Sequence, residues 1–248
     1  MRIIISPAKK MVTDTDSFAI EAFPHFLEYT AQIKSVLKRM NLGQLKALWK
    51  CSDSLAEQNA RSLAEMNLQK NLTPAIIAYA GIQYQYMAPG IFEQNQLDYI
   101  KEHLRILSGF YGVLRPFDGV VPYRLEMQAK LALGGSKDLY HFWGDKLAHC
   151  LEEETDFIVN LASKEYSKAI QPYLQNKTKF LTCSFTEMKN GKPVEKATFC
   201  KMARGQMVRW MAVNNITTAQ GIQAFDESGY KFSEEYSSQS EFVFIKKP

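Results

Sequence analysis

The stretch LRILSGFYGVLRPFDGVVPYRLEM, Leu104–Met127, decides how this chain is read. It sets Gly109, Gly112 and Gly119 at intervals of three and seven among Arg105, Arg115 and Arg124, with Pro116, Pro122, Asp118 and Glu126 close by. Glycines at such spacing mark special backbone angles or a close approach by another group. Arginine forks suit phosphate or carboxylate. Two readings stand side by side: a structural turn whose arginines pair with Asp118 and Glu126, or a site facing an anion.

Upstream, Arg2–Ser6 reads as a short buried strand that ends in Ser-Pro, which places Lys9 and Lys10 just past its carboxyl end. Open α/β sheets bind ligands at that end. Apolar spacing predicts helices over Pro24–Met40, Leu42–Trp49 and Ser54–Met66, the last with a Ser54/Glu57 capping box. Ala75–Met87 reads as a helix turning into a strand near Tyr84, and Glu93–Leu107 as a helix running up to the first glycine. Downstream come a helix over Leu139–Leu151, a buried strand over Phe157–Leu161 and strands over Phe180–Met188 and Ala197–Phe199 around an Asn190-Gly191 turn. A helix over Met202–Asn214 and a closing strand over Glu241–Ile245 complete the series. No linker or repeat divides the chain, so residues 1–248 are expected to form one mixed α/β domain, a mixed sheet surrounded by helices.

With 248 residues and 46% hydrophobic content there is material for a sizeable core, and wholesale disorder is excluded. A formal charge of +4 says little by itself. Its distribution says more: Lys192, Lys196, Lys201, Arg204 and Arg209 stand against the single acid Glu195. Four scattered cysteines with no CxxC pair argue against a zinc cluster or a disulfide scaffold. No run of eighteen apolar residues and no leader pattern is present, so a cytoplasmic, reduced protein without membrane contact is expected.

The search for chemistry excludes more than it finds. His25, His103, His141 and His149 follow no ligand spacing, and no metal site or cofactor is expected. Neither a GxxxxGK[ST] loop nor a GxGxxG after a strand occurs. Ser163 stands where a serine can cap a helix. In KMARGQMVRW, 201–210, Lys201 and Arg204 lie on one side of a helix, forming either a solvated stripe or a phosphate contact. Helix, glycine turn and helix can converge N–H groups on a phosphate. Leu104–Pro116, with Gly109 and Gly112 at its turn, roughly matches that helix-hairpin-helix pattern.

Together ISPAKK (5–10), LSGFYGVLRPFDGVVPYRLEM (107–127), LYHFWGDKL (139–147), NLASKEY (160–166), KMARGQMVRW and GYKFSEEYSSQSEFVF (229–244) resemble the YaaA family, the peroxide stress proteins also known as UPF0246 or DUF328. The resemblance implies a cytoplasmic protein of the peroxide response that limits iron-dependent damage, with a distinct α/β fold. It also implies DNA binding through a basic cleft with a helix-hairpin-helix-like element. Carried onto this chain it marks Lys9, Lys10, Gly109, Gly112, Arg115, Arg124, Lys201 and Arg204 for phosphate. Gln128 departs from it, standing where the family usually has glycine.

Two functions follow as expectations. One is a monomeric protein that binds the DNA backbone without strong sequence preference. The other is an enzyme for a small phosphorylated or carboxylated substrate, with Asp145, Glu165, Tyr123 and Ser163 as its candidate groups.

Overall fold

The structure, a computed structural model, is described for residues 1–246. Its first strand, β1 (Arg2–Ile5), carries three consecutive isoleucines that are wholly buried. Such a run has no polar face to offer, and it becomes an inner strand of a parallel sheet covered on both sides. Three helices follow, α1 (Leu27–Lys38), α2 (Leu42–Trp49) and α3 (Asp53–Glu65). Then come β2 (Thr73–Pro74), α4 (Ala75–Ala78), α5 (Ile82–Met87) and α6 (Gln94–His103). Beyond them lie β3 (Leu104–Ser108), β4 (Gly112–Leu114) and β5 (Gly119–Val120), then α7 (Leu139–Trp143) and α8 (Lys146–Glu152). The remainder is β6 (Phe157–Leu161), α9 (Lys164–Ser167), β7 (Lys179–Lys189), β8 (Lys192–Val194), α10 (Ala197–Val213), α11 (Ala219–Ile222), β9 (Tyr230–Phe232) and β10 (Glu241–Lys246).

The main sheet runs β4-β3-β1-β6-β7-β10-β9, with β8 paired to β7. β3, β1, β6, β7 and β10 are mutually parallel, while β4, β8 and β9 join antiparallel. This is the mixed sheet with surrounding helices that the sequence predicts. The chain passes from β1 to β3 on one side, then crosses to β6 on the other. The carboxyl ends of β1 and β6 therefore flank a topological switch point, the place where α/β sheets open a crevice.

Several expectations are corrected here. The helix predicted to Leu107 stops at His103, and Leu104–Ser108 is a fully buried strand hydrogen-bonded to β1. With β4 it makes an antiparallel hairpin, so Leu104–Pro116 contains no second helix and is not a helix-hairpin-helix. Gly109 and Gly112 are interior. A Cβ on Gly109 would stand 3.0 Å from the backbone of Glu126 and Met127. Gly112, at φ +76°, is enclosed by Phe26, Leu147 and Trp143. The turn is held from inside: Trp143 Nε1 donates to the Gly109 carbonyl at 3.1 Å, and Thr30 Oγ1 to that of Phe110 at 3.0 Å. Neither glycine is open to a phosphate.

Elsewhere Ala197–Phe199 is the first turn of α10 instead of a strand, and Tyr84–Met87 is helical. α3 begins at Asp53 after Ser52, which leaves no Ser54/Glu57 capping box. Gly144 divides the predicted 139–151 helix into α7 and α8.

α10 lies across α5 at very short range. A Cβ on Gly205 would fall 2.0 Å from the carbonyl oxygen of Gln83 and 3.0 Å from the amide nitrogen of Met87. What approaches this glycine is the backbone of α5. This contact sets the position of Gln83 beside Arg204.

Candidate functional site

Past the carboxyl end of β1 the chain continues Ser6-Pro7-Ala8-Lys9-Lys10, and past β6 it turns at Ser163 into α9. The two ends are tied together: Ser6 Oγ accepts the Ser163 backbone N–H at 2.8 Å, and the two hydroxyls lie 3.2 Å apart. Ser163 stands at the amino-terminal cap position of α9, but its side chain makes no capping bond there. Above this junction opens a cavity of about 350 Å³, walled by the 6–10 loop, α5, the 123–126 segment, α9 and α10. A second lobe of about 420 Å³ lies against α2 and α3 and shares Lys9, Lys10, Tyr123 and Arg124 with the first.

Of the residues singled out from sequence, Lys9, Lys10, Tyr123, Arg124, Ser163, Glu165, Lys201 and Arg204 line this cleft together. Lys9, Lys10 and Lys201 are exposed at its rim, while Arg124 and Arg204 are half-buried. The cleft holds two acids. Glu126 pairs with Lys9 at 2.6 Å, and Glu165 accepts the backbone N–H of Gln128 at 3.2 Å.

The other candidates lie elsewhere. Arg115 sits with Arg2 and Arg105 around Glu154, beyond the amino ends of β1 and β3, with Nη2 3.5 Å from that carboxylate. Arg105 is a strut: it is 4% exposed, donates to Glu154 at 2.7 Å and also to the carbonyls of Lys101 and Leu104. Asp118 accepts the Arg115 backbone N–H instead of its guanidinium. Asp145 is exposed at the start of α8, 3.8 Å from His149, and does not line the cleft.

Three donors lining the first lobe have no partner among the described residues, Arg124 Nε, Arg204 Nε and Gln83 Nε2, and Trp49 Nε1 is likewise unpaired in the second. A buried polar group left unpaired costs about 1–3 kcal/mol. Three such groups lining one cavity are the pattern of a site whose partner is not part of the chain. Gln83 is 6% exposed and escapes notice in the sequence, because Ala75–Met87 shows no clear period. Tyr84 and Tyr166 also line the cleft. The Tyr84 hydroxyl is spent on the Ser6 carbonyl, so its ring is what it can offer.

Tyr123 is held by a chain of hydroxyls. Ser108 Oγ accepts the backbone N–H groups of Phe110 and Tyr111 at 3.1 and 2.9 Å, which directs its own proton to Tyr123 Oη at 2.7 Å. Tyr79 Oη stands 2.9 Å from the same oxygen. Burial pushes the Tyr123 phenol up to about 12, against the downward pull of these two hydroxyls. At neutral pH it is therefore a neutral phenol.

Fold and cleft together define a mixed α/β protein with a cation-rich, tyrosine-walled cleft at the switch point of its sheet. The chain belongs to the family of the peroxide stress protein YaaA, whose family model matches residues 1–236. It is 51% identical to a UPF0246 protein of Agathobacter rectalis, covering 100% of this chain and 99% of the relative. It is 52% identical to UPF0246 proteins of Lachnoclostridium phytofermentans (99% of this chain, 96% of the relative) and of Pediococcus pentosaceus (99% and 98%). No helix among the described residues is long and apolar enough to cross a membrane.

Proposed function

We propose that this chain serves in the response to peroxide stress as a monomer that binds DNA through the backbone phosphates. The carrying observation is the meeting of Lys9, Lys10, Arg124, Lys201 and Arg204 on one cleft with two arginine Nε donors unpartnered. Phosphate oxygens are the acceptors that such donors lack, and contacts of this kind position a protein on DNA without reading sequence. Protection from iron-dependent damage is then exercised at the DNA. Support comes from the cleft and not from the hairpin at 104–116. The helices α2 and α3, joined by residues 50–52, form the outer wall of the second lobe.

Fluorescence anisotropy with a short duplex at low salt tests this reading. The Lys201→Ala/Arg204→Ala double variant is expected to weaken binding about tenfold or more, whereas Arg115→Ala leaves it unchanged. Equal loss in both variants, or in neither, sinks the assignment of the cleft.

A second reading, catalysis on a small phosphorylated or carboxylated substrate, is favoured by one observation: Tyr123, Glu165 and Ser163 line the same cavity as the unpaired donors. Under it Tyr123 donates a proton and Arg124 and Arg204 hold the anion. Turnover of a phosphorylated substrate panel that is lost in Tyr123→Phe while anion binding persists would support it; no turnover across the panel would remove it.

A further inference from the structure

We infer that the inner lobe of the cleft seats a single nucleotide unit, its base against the tyrosines and Gln83 and its phosphates on cations at either end. The inference rests on the phosphate-binding reading above and goes further by naming what enters the cavity. A cavity of about 350 Å³ is too small for a duplex and larger than a lone phosphate requires; it falls at the lower end of the ~300–1000 Å³ typical of small-ligand sites.

The lining specifies more than an anion. Gln83 is 94% buried, being 6% exposed, and its Nε2 has no partner. A side-chain amide presents a donor beside an acceptor, the complement of a base edge, whereas a phosphate uses only donors. The hydroxyls of Tyr84 and Tyr123 are already engaged, with the Ser6 carbonyl and with Ser108 and Tyr79, so what each offers a base is a ring face. Ring faces are what an unstacked base needs.

The cations fall into two groups. Lys201 and Arg204 line the inner lobe alone, whereas Lys9, Lys10 and Arg124 line both lobes. Charge at both ends of the cavity fits a nucleotide that carries a phosphate on either side, as one within a strand does. Glu165 in the same wall can accept from an exocyclic amine or a sugar hydroxyl. The unit can come from a nucleotide turned out of a duplex or from a free mononucleotide.

Two measurements on the full chain separate these sources. Anisotropy compares a paired duplex with the same duplex carrying one mismatch, where extrusion costs least. Thermal shift compares AMP, GMP, CMP and TMP with inorganic phosphate. The inference expects about a tenfold preference for the mismatched duplex, with the ratio falling to near one in Gln83→Leu. Stabilisation by a mononucleotide beyond inorganic phosphate, lost in Gln83→Leu, supports it through the free source. Gln83→Met replaces the leucine variant if that one does not fold. Equal affinity for both duplexes together with no mononucleotide effect beyond phosphate overturns the inference, as does a preference that survives both Gln83 variants. Failure of the paired duplex to bind at low salt counts against the DNA reading alone, and the mononucleotide result then decides this one.

Discussion

Gly205→Ala should damage the fold and the cleft together, although it places a better helix former in the middle of α10. Alanine improves helix propensity by about 1 kcal/mol over glycine. The new Cβ, however, would lie 2.0 Å from the Gln83 carbonyl oxygen, where ordinary contact begins at 3.4 Å. The two helices must part by about 1.4 Å, and the obstacle is backbone, which cannot swing aside as a side chain does. Overpacking costs about 1–3 kcal/mol when side chains can adjust, so a backbone clash stands at or above the upper end. The net loss is about 2 kcal/mol, or a fall in thermal midpoint of roughly 4–8 °C for a domain of this size. Because α5 carries Gln83 and α10 carries Arg204, anion binding should weaken at temperatures where the variant is still folded. Urea denaturation measures the first effect and anisotropy the second. A Gly205→Ala protein as stable as the parent would refute the packing argument, since it would show propensity prevailing over the close crossing.

Further outcomes follow from other groups. Arg204→Met keeps the apolar stem and removes an unpaired buried donor, so it should raise the thermal midpoint by a few degrees, about 1 kcal/mol, while weakening anion binding; a fall in midpoint would mark the arginine as a strut. Burial pushes the Asp118 carboxyl up to about 6, so between its ordinary range near 4 and pH 6 the folded chain holds a proton that the unfolded chain has released. Stability from this group therefore falls as pH rises through that window, by about 3 kcal/mol at most. Asp118→Asn should gain on the parent over the same interval. Opposite contributions from Glu102 and Glu154, whose carboxyls their arginine neighbours hold low, cancel in that comparison. Thermal midpoints at pH 4.5 and 7.5 decide it, a constant difference being the contrary result. Burial also raises the Cys183 thiol to about 12, Cys150 to about 11 and Cys200 upward, which leaves almost no thiolate at neutral pH. All three should stay reduced under peroxide, and mass spectrometry that found sulfenic acid at Cys183 would contradict this.

What could be read from the residues divides along physical lines. Ile3-Ile4-Ile5 and Phe157–Leu161 announce themselves because an inner parallel strand is apolar on both faces. Leu104 and Leu107 mislead for a definite reason: they continue the spacing of Leu97 and Ile100, so the apolar period carries the helix on through them. What ends it is pairing with β1, a partner a hundred residues away. The glycines were legible as special positions, but not which side of the chain they serve. Gly109 and Gly112 admit Trp143 and the 126–127 backbone, and Gly205 admits α5. Lys9, Arg124, Lys201 and Arg204 stand out singly, each beside a proline, glycine or helix face. Their convergence depends on the crossover that puts β3 and β6 on opposite sides of β1, which no local spacing encodes. Arg115 and Asp145 carry equally suggestive contexts and fall outside. Gln83 has no context at all, and only its burial without a partner reveals it.

If cations of one cleft meet phosphate, the affinity for duplex must fall steeply with salt. Lys9 is engaged by Glu126, whereas Lys10, Arg124, Lys201 and Arg204 have no ion-pair partner among the described residues. Four phosphate contacts correspond to a slope of log affinity against log salt of about −3.6, and loss of one in Arg204→Met to about −2.7. A slope near zero in the parent, or one that Arg204→Met leaves unchanged, would show that these cations do not meet phosphate.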